Sequence, residues 1–250
     1  MREVAAKARQ YIEAMALQSV LPTQCAVCLG WARARFCADC LARHAAPKPR
    51  CHRCAIGVPA LHGSTSGTAI CGACLQEPPP FSHGIAAVDY AFPWSRIVSA
   101  FKFRAALDLA PALAGLLCDA TLAGSAPRPG VLVPVPLSPE RLAERGMNQA
   151  WELARRVGSS LAIACRPALL QRLIDTPHLA DLPRTQRAAR IRGAFAVAPR
   201  QSAHGLHIAL VDDVMTSGAT AAEAARVLLA GGATSVQVWV VARTPAPQDT

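Results

Sequence analysis

An α/β domain built on a parallel sheet, preceded by a small cysteine-rich module, is the fold class this sequence predicts. Three observations carry that expectation. Beyond residue 84, short apolar runs alternate with stretches of helical periodicity. Before residue 76, eight of the ten cysteines fall in four CxxC pairs. One apolar run, "IALVDD", ends in two adjacent aspartates and leads into "VMTSGAT", a loop of small hydroxyl residues around one glycine.

The bulk properties agree. A chain of 250 residues, 52% of them hydrophobic, is long enough for one α/β domain plus an appended module. Its formal charge of +10 comes almost wholly from arginine, because Lys7, Lys48 and Lys102 are the only lysines. Part of that bias reflects an alanine- and arginine-rich composition. The remainder fits an anionic ligand or a nucleic acid. Residues 1–20 are expected to form an N-terminal helix. They carry Arg2, Glu3, Lys7, Arg9 and Glu13 and have no uninterrupted apolar region of signal-peptide length. No segment approaches the roughly 20 apolar residues of a membrane span. The cytoplasm is therefore the expected compartment, where thiols stay reduced.

Reduced thiols in four CxxC pairs point to metal. Each CxxC turn aims two sulfurs at one centre, and two turns complete the tetrahedral four-sulfur site that Zn²⁺ prefers. Sequential pairing predicts one site from Cys25, Cys28, Cys37 and Cys40 and a second from Cys51, Cys54, Cys71 and Cys74; spacing alone also allows interleaved pairing. Residues 21–76 hold few large apolar side chains, so coordination would supply the folding free energy of a double zinc-ribbon domain. Both zinc ions are then structural, since four thiolates leave no position open for water. His44, His52 and His62 are read as surface histidines, and Cys118 and Cys165 as small buried hydrophobes. Replacing Cys51 should loosen residues 51–74 and leave the C-terminal domain folded. The triple proline at 78–80 makes residues 77–83 a stiff linker.

Residues 84–245 are expected to form the sheet domain. "GIAAVDYAF" (84–92) reads as a strand, and 94–122 as helical with a break near Pro111. "GVLVPVP" (130–136) is a short β run, and 138–161 is helical, with Ser138 as N-cap and Pro139 at the first helical position. "GLHIALVDDV" is a second buried strand, "GATAAEAARVLLAGGA" a helix stopped by paired glycines, and "SVQVWVVAR" a third strand.

In such sheets ligands bind beyond the carboxyl ends of the strands. Asp212 and Asp213 are expected there, partly solvated and repelling each other. Thr216, Ser217, Gly218, Ala219 and Thr220 form the turn into a helix, where backbone N–H groups, hydroxyls and the helix dipole make a phosphate cradle. Carboxylates beside a phosphate would repel it unless they hold sugar hydroxyls or Mg²⁺ between. Phosphate, sugar diol and metal in one crevice describe a ribose 5-phosphate site.

"VDDVMTSGAT" closely resembles the 5-phosphoribosyl-1-pyrophosphate (PRPP) motif of type I phosphoribosyltransferases. With its cysteine knuckles, "FKF" at 101–103, "PVPLS" at 134–138, "RGMNQ" at 145–149 and "GAF" at 193–195, the whole chain resembles the ComF family. That resemblance implies a double zinc ribbon followed by a type I phosphoribosyltransferase-like domain. It implies ribose 2- and 3-hydroxyls on Asp212 and Asp213, the 5-phosphate on 216–220, and Mg²⁺ with basic residues at the pyrophosphate. Lys102 and Arg145 are the expected catalytic cations, and Asn148 and Gln149 are expected to read the second substrate. Residues 172–192, with Arg172, Arg184, Arg187, Arg190 and Arg192, look like a lid. The sequence departs from the family's pattern at Ser217, which keeps the hydroxyl of a threonine, and near Leu179 and Arg190. A glutamine amidotransferase would need an N-terminal catalytic cysteine; this sequence begins Met-Arg and has its first cysteine at 25, so ammonia release from glutamine is not expected. The expected activity is phosphoribosyl transfer, a glycosyltransferase reaction, to an acceptor the sequence does not identify. The alternative is a non-catalytic module that senses PRPP or a nucleotide, or binds single-stranded DNA with DNA-uptake proteins.

Overall fold

A computed structural model describes residues 22–59, 69–174 and 191–246. The expected helix at 1–20, His62, the departures near Leu179 and Arg190, and most of the expected lid, with Arg184, Arg187 and Arg190, lie outside those residues. The chain forms two compact units, Met1–Ala46 and Pro47–Thr250.

In the first unit, β1 (Thr23–Gln24) and β2 (Trp31–Ala32) pair antiparallel, and α1 (Ala38–His44) follows. The first CxxC knuckle is closed by Cys25 N–H donating to Gly30 O at 2.8 Å and Leu29 N–H donating to Cys25 O at 2.9 Å. Among the described residues of this unit, the buried hydrophobic ones are Cys25, Phe36 and Cys40, too few by themselves for a core of ordinary kind.

The larger unit contains the second knuckle, the short helix α2 (Gly72–Gln76) and the sheet. Strands β3 (His83–Asp89), β4 (Val131–Pro134), β5 (Ala164–Cys165), β8 (His207–Met215) and β9 (Ser235–Arg243) form one parallel sheet in the order β3-β9-β8-β4-β5. An antiparallel pair, β6 (Leu170–Arg172) and β7 (Phe195–Val197), stands beside it. Period-2 geometry divides the side chains of each strand between two faces. Ile208, Leu210, Val236 and Val238 face α7 (Ala219–Ala230) and the β6–β7 pair within one cluster that also includes Ala55 of the second knuckle. The alternate residues face α4 (Ala110–Ala123) and α6 (Gln149–Leu161). Both faces of β8 are thus covered, which explains its near-continuous apolar run.

Two expected helices are each divided. The first stops at Phe103, where α3 (Trp94–Phe103) ends and Ala105 adopts φ +51°, well before Pro111, which lies in the first turn of α4. The second stops at Gly146, whose φ of +70° ends α5 (Pro139–Arg145) before α6 begins. Ser138 caps α5 as expected, its hydroxyl accepting from Arg141 N–H at 3.3 Å. These breaks place "RGMNQ" at a corner beside the carboxyl ends of β4 and β8.

Candidate functional site

The eight paired thiols form two clusters. Cys25, Cys28, Cys37 and Cys40 lie in one, Cys51, Cys54, Cys71 and Cys74 in the other, with the sulfurs of each within 4.8 Å of one another. The grouping is the sequential one. A Zn–S bond of about 2.3 Å in a tetrahedron implies S···S edges of about 3.8 Å. Cys28 and Cys37 sulfurs stand 3.8 Å apart, and Cys54 and Cys71 sulfurs 3.7 Å. Burial pushes the Cys25 thiol up, but the amides of Cys28, Cys37 and Val27 outweigh it and hold the group down at about 6. In the same cluster, burial and hydrogen bonds from Cys37 and Cys28 push Cys40 up to about 12. One thiolate is thus ready and another must be deprotonated by the metal, as a soft divalent ion does. Both clusters fit structural metal. Elemental analysis of protein purified without chelator should find two metal ions per chain; one or none would count against two filled four-thiolate sites.

A cleft of about 360 Å³ opens at the carboxyl ends of β4 and β8. Lys102, Arg145, Asn148, Gln149, Asp212, Asp213 and residues 216–220 all line it. Residues more than a hundred positions apart in the chain therefore meet in one crevice. The 216–220 loop, expected to cradle a phosphate, turns on Gly218, whose φ of +83° is costly for any residue with a Cβ, and α7 begins at Ala219. Ser217 Oγ accepts from Ala219 N–H at 3.4 Å.

The two aspartates differ. Asp213 is only 4% exposed, and its Oδ1 lies 3.5 Å from Lys102 Nζ. Asp212 is half-buried, and its Oδ1 accepts from Asp213 N–H at 2.9 Å. Burial and the neighbouring Asp213 charge push the Asp212 carboxyl up to about 7, against the opposing pull of Lys102. The expectation of two partly solvated carboxylates is corrected for Asp213. Strands flank β8 on both sides, so its inward position is enclosed, and Lys102 supplies the compensating charge.

Asn148 and Gln149 are engaged internally. Asn148 Oδ1 accepts from Trp151 N–H at 3.3 Å, capping α6, while its Nδ2 donates to Val135 O at 3.1 Å. Gln149, 2% exposed, donates from Nε2 to Lys102 O at 3.1 Å and accepts from Arg145 Nη1 at 3.4 Å. These bonds set Lys102 and Arg145 on opposite sides of one buried amide. Phe103 lies under both cations, 5.9 Å from Lys102 Nζ and 5.2 Å from the Arg145 guanidinium carbon.

Other lining residues were not anticipated, among them Tyr90 and Arg141. Each is an ordinary residue of a helix or loop, and only the fold brings it to the cleft. Arg172 of the expected lid also lines it, while Arg192 is exposed and outside it. Arg243, buried at the end of β9, carries a signal that could have been read: a charge terminating a strand that is apolar from Val238 to Ala242.

The five-stranded parallel sheet with helices on both faces defines an α/β protein, and the same chain carries two four-cysteine clusters. The DNA utilization protein YhgH of Salmonella typhi is 34% identical over 218 residues, covering 86% of this chain and 91% of that protein. Competence protein F of Haemophilus influenzae is 31% identical over 178 residues, covering 69% and 78%. The chain belongs to the family of these proteins, the ComF family. No family model matches it. Among solved structures, the glutamine PRPP amidotransferase from B. subtilis complexed with ADP and GMP aligns at 17% identity with a TM-score of 0.38, over 57% of this chain and 30% of that longer one. Among the described residues no helix is long and apolar enough to cross a membrane.

Proposed function

We propose that the cleft binds PRPP, or a related ribose 5-phosphate ligand, together with Mg²⁺, and that the protein transfers the phosphoribosyl group to an acceptor. The observation carrying this reading is the convergence of Asp212, Asp213, the 216–220 loop, Lys102 and Arg145 on one cleft. The loop's amides and the start of α7 take the 5-phosphate. Asp212 and Asp213 accept hydrogen bonds from the ribose 2- and 3-hydroxyls. Their carboxylates are also the hard oxygen donors that suit Mg²⁺, which would neutralise charge on the pyrophosphate.

In the transfer step the bond from ribose C1 to the pyrophosphate oxygen breaks, and its electron pair leaves with pyrophosphate. The acceptor's lone pair then forms the new bond to C1. Lys102 and Arg145 stabilise the departing charge. When the sugar hydroxyls engage Asp213, the Lys102 ammonium becomes free to turn to the pyrophosphate. Gln149 positions the Arg145 guanidinium directly and Lys102 through its backbone carbonyl. Lys102→Met should therefore slow pyrophosphate release at least 100-fold while weakening PRPP binding far less; an equal loss in both would make Lys102 a binding residue only. The four-cysteine clusters are proposed to hold two structural Zn²⁺ ions.

One observation favours a second partner. Trp31 is 75% exposed on β2, with Arg33 exposed beside it. An aromatic face next to guanidinium groups is a stacking platform for single-stranded DNA, in keeping with the relatives' names. Binding of single-stranded DNA in a mobility-shift titration should weaken steeply with salt and be reduced by Trp31→Ala. No binding at low salt would remove this partner.

A further inference from the structure

Arg243 ends β9 and is 5% exposed. Its Nε donates to the carbonyl of Cys54 at 2.9 Å. Its Nη1 donates to the carbonyls of Met215 and Thr244, each at 3.0 Å, and to that of Thr216. Cys54 belongs to the second cysteine cluster, Met215 closes β8, and Thr216 opens the loop at the cleft. One guanidinium thus bridges the cysteine cluster and the backbone of the loop. Lysine could not do the same, because only arginine presents several donors in a rigid planar fork.

The bridge has a direction. In a trans peptide the C=O and N–H point opposite ways. Fixing the Met215 and Thr216 carbonyls on Arg243 therefore turns the amides of Thr216 and Ser217 away from it. The other end of the bridge is anchored too. A Cβ on Gly84 would lie 2.7 Å from Arg53 O and 3.1 Å from the Cys54 carbonyl carbon, so the knuckle rests directly on the backbone of β3. Gly84 N–H donates to His52 O at 2.9 Å, and Ala55 is fully buried in the sheet's core. The Cys54 carbonyl is held by the sheet below and by its sulfur's place in the cluster above.

We propose that Arg243 is a positioning residue that couples metal occupancy at Cys51, Cys54, Cys71 and Cys74 to anion binding on the 216–220 loop. A filled cluster holds the Cys54 carbonyl where Arg243 can orient the loop amides. By linkage, an anion on those amides must then tighten metal binding at the same cluster. The identity of the anion rests on the ribose 5-phosphate reading; the bridge itself does not.

Two measurements on the full chain, loaded with zinc, test this. Equilibrium competition with a colorimetric chelator should resolve two zinc affinities, and saturating PRPP with Mg²⁺ should tighten one of them about tenfold, within the usual range of such couplings. Amide exchange at 215–218 should rise more than exchange at 208–211 of the same strand when cluster zinc is removed, with or without any ligand. In Arg243→Gln and Arg243→Lys the tightening should vanish and the selective rise should appear with zinc present, an effect that a merely structural arginine would not have on ligand-dependent zinc affinity. If calorimetry shows PRPP bound to wild type and both zinc affinities are unchanged, the coupling is refuted. If PRPP does not bind, the ribose-phosphate reading fails, and the exchange measurement decides the bridge alone: exchange at 215–218 that rises no more than at 208–211 in zinc-stripped wild type overturns it. Should the variants not fold, the wild-type competition and exchange measurements still decide.

Discussion

The double substitution Asp212→Asn with Asp213→Asn should abolish the Mg²⁺-dependent response to PRPP. Hydrogen bonds to charged groups contribute about 1.5–3 kcal/mol each. Losing one such bond at each aspartate corresponds to a loss of affinity of roughly two to four orders of magnitude. Calorimetry of PRPP with Mg²⁺ reads this directly, and an unchanged affinity would sink the assignment. The stability of the single variant Asp212→Asn should move the other way. The Asp212 carboxyl titrates at about 7 in the fold, above the ordinary carboxylate range, so the folded chain holds a proton that the unfolded chain has released. Stability from this group is therefore lost as pH rises from about 4 through 7. Asp212→Asn removes that dependence and should raise the melting temperature at pH 8 while leaving it unchanged near pH 4. In wild type, PRPP affinity should strengthen as pH rises through 7, when the carboxylate needed by the ligand becomes ionised.

Cys51→Ser should destabilise the whole larger unit and not residues 51–74 alone. Ala55 sits in the same core cluster as Ile208 and Leu210, Gly84 receives the knuckle's backbone, and Arg243 ties Cys54 to the loop. A pair of ion pairs adds to this seat: Arg50 Nη1 lies 2.8 Å from Asp89 Oδ1, and Lys48 also pairs with Asp89. Structural zinc sites supply folding free energy outright. Losing even a few kcal/mol would lower the melting temperature of a unit this size by roughly 10 °C. A thermal melt of Cys51→Ser by circular dichroism should show that shift in the main transition. A main transition at the wild-type temperature would mean that the second cluster folds apart from the sheet, as residues 21–76 suggested when taken without the fold.

What the sequence made legible follows from which signals are local. The runs that became β3, β4, β8 and β9 are apolar over several residues and bounded by turn formers, so each could be read from its own segment. The aspartate pair and the 216–220 loop were legible because a charge pair at the end of a buried strand needs an explanation. The CxxC pairs were legible because thiol spacing reports coordination geometry directly. The short elements were not. Ala164–Cys165 and the Leu170–Arg172 and Phe195–Val197 pair are two or three residues each, too brief for periodicity to register. The break at Gly146 was hidden inside a continuous helical pattern, because a left-handed glycine leaves the apolar spacing on either side intact. The burial of Asp213 and the bridging role of Arg243 depend on neighbours from distant segments. No window of sequence contains them.

The proposed function stands most directly on whether the cleft takes the ligand that its groups describe. Calorimetric titration of PRPP into the zinc-loaded full chain, with and without Mg²⁺, measures that. Saturable one-to-one binding that requires Mg²⁺, is competed by ribose 5-phosphate and disappears in the Asp212→Asn, Asp213→Asn protein is the expected result. No binding by wild type, or equal binding by the double variant, would contradict it.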